Sequence, residues 1–264
     1  MSKAMTYSSY LRVGELLNLQ TPQSDGPHGP EHDELLFIVI HQVYELWFKQ
    51  LLHELDYLIV LLQQNDQPRA GHTMRRILSI LKTIVAQIDV LETMTPLEFN
   101  SFRGFLESAS GFQSVQFREM EFVLGLKRHA MLNHYPTDTP GYERLVARYN
   151  QPTLWDAFLH YLDANGFAQP AKQMGRDVTQ PIEPSSAIQQ QLVQVYRTSS
   201  AASQICERLI DIDEGLQEWR YRHVKMVERT IGTKSGSGGS SGAAYLTATI
   251  KPFFPDLWAI RSLL

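Results

Sequence analysis

The sequence predicts an all-α fold of long, mostly antiparallel helices with a smaller helical lobe. Three observations carry that expectation. Apolar residues recur at helical spacing through two stretches of more than thirty residues, 33–64 and 187–231. No segment of any length alternates apolar with polar residues as a half-buried strand would. The breaks between periodic stretches hold proline, glycine and helix-start chemistry rather than hairpin turns.

The elements follow in order. Residues 1–20 contain Tyr7, Tyr10, Leu11, Leu16 and Leu17, an apolar set for so short a segment, which points to docking on a neighbouring subunit. The stretch 21–31 carries Pro22, Gly26-Pro27 and Gly29-Pro30 and reads as irregular. A helix is expected over 33–64, with Leu36, Ile40, Val43, Trp47, Leu51, Leu55, Leu58 and Leu62 as its stripe. Asp33 and Glu34 open it, where the helix dipole favours acids. Beyond Pro68 comes a second amphipathic helix, with Ile77, Leu81, Ile84, Ile88 and Leu91 inward. Thr95-Pro96-Leu97-Glu98 has the form of a capping box with proline at the first helical position. It opens a helix carrying Phe99, Phe102, Arg103 and Leu106. A glycine-containing break over 108–116 precedes a helix reaching about residue 126.

The smaller lobe is expected over about 128–184, with short helices at 142–149 and 153–162 and irregular chain through the prolines of 165–184. The longest helical pattern, 187–231, has a stripe through Leu192, Val195, Ala202, Ile205, Leu209, Ile212, Leu216, Trp219, His223, Met226 and Thr230. A glycine-serine segment, 233–242, cannot pack a core. An apolar stretch, 245–264, follows it. The whole, residues 1–264, reads as one domain.

Composition narrows the chemistry. The net charge of -4 gives no reason to expect nucleic acid or an anionic membrane as partner. The single cysteine, Cys206, excludes a disulfide framework, a thiolate zinc site, an iron–sulfur cluster and a covalently attached haem. The N-terminus lacks the apolar run of a secretory signal, and the longest apolar run, 35–40, is too short to span a membrane. A cytoplasmic protein is the expectation.

Two of nine histidines are unusually placed. His41 shares a helix face with Phe37 and Phe48, and His223 interrupts an apolar stripe between Trp219 and Met226. Each alone reads as a buried core histidine. Together, on the two longest helices, they can also flank a planar iron cofactor, one as ligand and one beside the gas-binding face. His28 and His32 lie in the proline-glycine loop and form no zinc motif. Arg103 stands among phenylalanines, either snorkelling over them or clamping a carboxylate in an apolar pocket. The glycine-serine segment directly after the His223 helix is either a linker or a loop that closes over a pocket.

Seven segments, in this order, resemble the tryptophan 2,3-dioxygenase family. They are Tyr7-x-x-Tyr10-Leu11, His32 through Gln42, Glu45-Leu46-Trp47-Phe48-Lys49, Phe99-Asn100-Ser101-Phe102-Arg103, Ser110-Gly111-Phe112-Gln113-Ser114, Trp219-Arg220-Tyr221-Arg222-His223 and Gly238-Gly239-Ser240-Ser241-Gly242. The resemblance implies a helical bundle around a pocket for haem b, one per subunit, with O₂ as co-substrate. The subunits would form a homotetramer, a dimer of dimers. Both oxygen atoms would enter across the indole 2,3 bond of L-tryptophan, giving N-formyl-L-kynurenine.

Carried over by residue, His223 matches the axial iron ligand and His41 the distal histidine that bonds the indole N–H. Phe37 matches the apolar wall beside the substrate ring, Phe99 is expected among the substrate-binding residues, and Arg103 matches the partner of the substrate carboxylate. Ser110, with Gly111 beside it, matches small residues close to the haem. Tyr7, Tyr10 and Leu11 match the segment that completes a neighbour's pocket. Ser237 stands where the family usually has threonine, and Phe99 where some members have tyrosine. Those departures keep two alternatives in view: a related haem oxygenase acting on a substituted tryptophan or other aromatic amino acid, and a haem-binding protein without turnover.

Overall fold

The computed structural model describes residues 4–27, 29–107, 109–234 and 243–264. Among them the regular structure is helical, and the only pairing of β type is a pair of isolated bridges between Gly26, Pro27 and Gly29.

Two short exposed helices come first, α1 (Tyr7–Leu11) and α2 (Val13–Leu16), joined at Arg12, whose backbone is left-handed. The turn-rich stretch after them is fastened to the next helix by Glu34. That buried carboxylate accepts hydrogen bonds from the backbone N–H groups of Gln23 and Ser24, 2.7 and 2.9 Å, and from the Ser24 hydroxyl. An acid expected to serve the helix dipole therefore also anchors a loop.

Three long helices form the core. α3 (His32–Gln63) and α11 (Ser200–Ile231) both pack on α4 (Gln67–Leu91). Asp66 caps α4 and Pro68 sits in its first turn, so the proline begins a helix rather than ending one. The inward face of α3 is rotated from the expected stripe: Tyr44 and Phe48 are buried, whereas Val43 and Trp47 are only half-buried. Tyr44 can enter the core because its hydroxyl donates to the Ile84 carbonyl at 2.8 Å. By length and composition α3 is long and apolar enough to cross a membrane, which its six-residue apolar run did not suggest. Its residues Leu51, Leu55, Leu58, Leu61 and Leu62 fill the core, and Leu35, Val39 and Leu46 lie exposed on its other side.

The expected capping box forms at α5 (Pro96–Arg103): Thr95 accepts from Glu98 N–H, and Glu98 from Thr95 N–H at 2.6 Å. α6 (Val115–Val123), capped by Ser114, packs on α3. It ends at Gly125, whose φ of +103° only glycine adopts without strain. α7 (Pro140–Tyr149) and the 3₁₀ turn before it cover a satellite cluster of Phe122, Met131, Leu132, Tyr135 and Leu145. α8 (Leu154–Ala164) instead packs on α3 within the main core. The short α9 (Ala171–Met174) follows.

The pattern read as one helix over 187–231 is two helices. α10 (Ser186–Thr198) stops at Ser199, which is extended and caps α11 by accepting from Ala202 N–H. Three consecutive hydroxyl residues, Thr198 to Ser200, offer the backbone a side-chain alternative to helical bonding, and the chain takes it. The C-terminal segment contains α12 (Ala243–Ala248) and α13 (Pro255–Ala259) and returns across α11 and α10. It is fastened by Asp213, fully buried, which accepts from the N–H groups of Phe253 and Phe254 and from the Trp258 indole.

Candidate active site

Where α3, α5, α6 and α11 meet, the packing leaves a cavity of about 270 Å³, closed on one side by Leu246 and Thr249. Phe37, His41, Phe99, Arg103, Ser110, Gly111 and His223 all line it. Seven of the residues singled out in the sequence, from four separate segments, are thus brought to one surface. Tyr7, Tyr10 and Leu11 are not: they lie exposed on α1, with Tyr7 77% accessible, and do not reach the cavity of their own chain. Ser237 lies outside the described residues.

His41 is fixed in a definite tautomer. Its Nδ1 lies 2.7 Å from the Phe37 carbonyl, one turn earlier on α3. A carbonyl only accepts, so Nδ1 carries the proton and Nε2 is left as an acceptor. Burial lowers the pKa of His41, against the opposing pull of that hydrogen bond and of Glu45, so the ring is neutral. The Phe37 ring packs 4.1 Å from the imidazole and in turn meets Phe99 and Phe102, forming an aromatic wall.

His223 is held differently. No hydrogen bond reaches its ring from any described residue; the ring is oriented by Trp219, one turn back on α11, stacked nearly parallel at 5.5 Å and 10°. Trp219 is itself boxed by Tyr44, Phe48 and Phe117 at 6.1, 5.8 and 5.2 Å between centroids. Burial pushes the His223 pKa down to about 4, and the proximity of His41 adds to this. A neutral imidazole facing a cavity, with no hydrogen-bond partner among the described residues, is able to serve as a metal ligand. Among the described residues no group of three or more His, Cys, Asp or Glu gathers to hold a bare ion. The donor set therefore fits a metal that arrives inside a planar cofactor, as haem does, with one protein imidazole.

Arg103 resolves toward the cavity rather than the surface: half-buried, it lines the space with its guanidinium 6.0 Å from the Phe99 ring. At the other end is a group that sequence reasoning missed. Glu121 accepts from Arg118, from Arg128 and, at 2.6 Å, from Arg220; Glu121, Arg118 and Arg220 are all buried, and all four residues line the cavity. One signal was available. α6 reads Phe117-Arg118-Glu119-Met120-Glu121-Phe122, and so short a helix cannot expose three charges while covering its apolar residues on several sides.

These features define a class: an all-helical protein with a largely apolar cavity that carries arginines on its wall, beside a buried imidazole able to ligate a metal. The family model described as tryptophan 2,3-dioxygenase matches residues 1–165 and 184–264. The chain is 71% identical over 262 residues to the tryptophan 2,3-dioxygenase of Herpetosiphon aurantiacus, covering 99% of each chain. It is 54% identical over 264 residues to that of Anaeromyxobacter dehalogenans, covering 100% of this chain and 97% of the relative. With that of Bacillus cereus the identity is 41% over 262 residues, covering 98% and 92%. The chain belongs to the tryptophan 2,3-dioxygenase family.

Proposed function

We propose that the protein is a haem-dependent dioxygenase that adds both atoms of O₂ across the indole 2,3 bond of L-tryptophan, giving N-formyl-L-kynurenine. The observation that carries this reading is the partnerless neutral His223 on the same cavity wall system as His41 and Arg103. His223, with Ser110 and Gly111 on the same cavity lining, would hold haem, which would supply the iron chemistry for O₂. The chain's own residues bind and orient. His41 presents Nε2 as an acceptor, which suits the indole N–H donor, and its low pKa keeps that acceptor unprotonated. Phe37 and Phe99 provide the apolar slot that excludes water. Arg103 pairs with the substrate carboxylate, which could not be buried unpaired. By the family resemblance alone, Ser237 is counted with the substrate-binding residues.

In this reading Tyr7, Tyr10 and Leu11 complete the pocket of a neighbouring subunit in a homotetramer. Their exposure in the single chain, together with that of Leu35, Val39 and Leu46 on α3, supports a further copy covering them. The protein works in the cytoplasm.

The test is reconstitution with haem, reduction, and addition of L-tryptophan in air, with the product identified by mass. Gain of two oxygens is expected; unchanged tryptophan or gain of one oxygen overturns the reading. His223→Ala loses haem, whereas Arg103→Ala keeps haem and raises KM. A normal haem spectrum in His223→Ala would remove the ligand assignment.

A further inference from the structure

The N-terminal segment is fastened to its own chain at its root and not beyond it. Among the described residues, every hydrogen bond made by residues 4–18 stays within residues 4–20. Neither α1 nor α2 buries a residue, and Tyr7, Tyr10, Leu11, Leu16 and Leu17 all lie exposed.

The root is held at two points on α3. Gln42 uses both ends of its amide: Nε2 donates to the Leu19 carbonyl at 3.0 Å, and Oε1 accepts from the Gln20 side chain at 2.6 Å. Glu34, 1% exposed, accepts from Gln23 N–H, Ser24 N–H and the Ser24 hydroxyl. Glu34 and Gln42 are separated by about 12 Å along α3 at the helical rise per residue. From Leu19 to Gln23 the fully extended chain spans at most about 14 Å. Pro22 within that stretch fixes a further dihedral. The stretch therefore has little slack between its two anchors.

One anchor would leave a swivel; two anchors with little slack between them set a direction. The segment departs at Gln42, the residue that follows His41 on α3. An exposed apolar arm that only needed tethering would be served by Glu34 alone. Ordering its root in advance lowers the cost of docking the arm at one defined place. The competing role for Gln42 is local, steadying α3 next to His41 of its own subunit.

Resting on the reading that Tyr7, Tyr10 and Leu11 complete a neighbour's pocket, we infer that Glu34 and Gln42 are positioning residues that act in trans. They aim the N-terminal segment of one subunit at the substrate cavity of a second copy, so each tryptophan site depends on bonds made in the adjacent chain.

The test uses the full-length, haem-loaded protein. Gln42→Met keeps the side chain's length and loses both bonds. Its tryptophan KM is expected to rise at least about fivefold, the scale of two hydrogen bonds, with kcat within about twofold of wild type and the haem spectrum unchanged. Tyr10→Ala/Leu11→Ala, which alters the arm itself, should raise KM as well. Two chains are then co-expressed under different affinity tags: Gln42→Met with Arg103 intact, and Arg103→Ala with Gln42 intact. Oligomers carrying both tags should regain a share of sites with the wild-type KM, because Gln42→Met subunits now receive a correctly aimed segment.

A wild-type KM in Gln42→Met beside a raised KM in Tyr10→Ala/Leu11→Ala overturns the inference and leaves the arm reading standing. A raised KM in Gln42→Met with no low-KM sites in the mixed oligomers overturns it in favour of the local role. A wild-type KM in Tyr10→Ala/Leu11→Ala overturns the arm reading, and the inference with it. If Gln42→Met does not fold, Gln20→Ala removes one of the same bonds from the other side and decides by the same comparison.

Discussion

Asp213 is a buried carboxylate with no cationic partner among the described residues, and its removal should loosen the C-terminal segment that closes the cavity. Its Oδ2 accepts from Phe253 N–H and Phe254 N–H, both at 2.9 Å, and from Trp258 Nε1 at 3.0 Å, while Oδ1 accepts from Gln217 at 3.0 Å. Burial raises its pKa, and the four hydrogen bonds pull the other way without overcoming it. In Asp213→Ala, Gln217 and Trp258 are half-buried and can turn to water, but the two backbone N–H groups are buried and cannot. Each stranded donor costs about 1–3 kcal/mol. Relief from burying the carboxylate offsets part of that, so the expected loss is about 3 kcal/mol. For a chain of this size that lowers Tm by about 6–12 °C. Asp213→Asn keeps an acceptor for the backbone donors and should lose about 1 kcal/mol. Urea unfolding measures both. A loss under about 1 kcal/mol for Asp213→Ala would show that this carboxylate does not hold the segment.

Two further changes test the scaffold. At Gly125 an added Cβ would stand 2.1 Å from Ile182 Cδ1, on a backbone at φ +103°. Gly125→Ala should therefore cost about 2–4 kcal/mol in denaturant unfolding, combining the left-handed penalty with overpacking; a loss within about 0.5 kcal/mol would refute the strain argument. Asp156 closes the capping box of α8 by accepting from Thr153 N–H and pairs with Arg176 at 2.6 Å; burial alone would raise its pKa, but Arg176 and Thr153 outweigh that and hold it below the usual value. Its folded pKa is depressed, so its contribution is fully present above the unfolded value near pH 4 and is lost as pH falls through the folded one. Thermal melts should show wild type losing stability below about pH 4 more steeply than Asp156→Asn; parallel curves would count against the assignment.

Features set by neighbours in sequence were legible, and those set by partners far away were not. The start of α5 followed from Thr95 and Glu98 because a capping box closes within four residues. His41 and His223 stood out because each violates the apolar pattern of its own helix. The arginine cluster did not, since Arg220 finds Glu121 from 99 residues away. The inward face of α3 was misplaced for a related reason. Tyr44 reads as a flanking residue until α4 supplies the Ile84 carbonyl for its hydroxyl. At Ser199 two local signals conflicted: the apolar stripe continued from Val195 to Ala202, yet the hydroxyl run stopped the helix. Capping chemistry won because Ser199 can satisfy a freed N–H at once, whereas the stripe needs only that both helices face the same core.

The contrast between the two histidines bears on how the site divides its work. Both rings are kept neutral by burial, yet one spends its Nδ1 proton on a backbone carbonyl and the other spends nothing on the protein. A hydrogen bond from Nδ1 fixes which nitrogen of His41 can accept, so its role is decided before any ligand arrives. Stacking on Trp219 fixes the plane of His223 but leaves both nitrogens uncommitted. An acceptor for a substrate N–H needs the first kind of restraint, because recognition depends on one atom being correctly protonated. A metal ligand tolerates the second kind, because the metal bond itself selects the deprotonated nitrogen and completes the orientation. Under the proposed function, the two restraints suit the different tasks given to these chemically identical side chains.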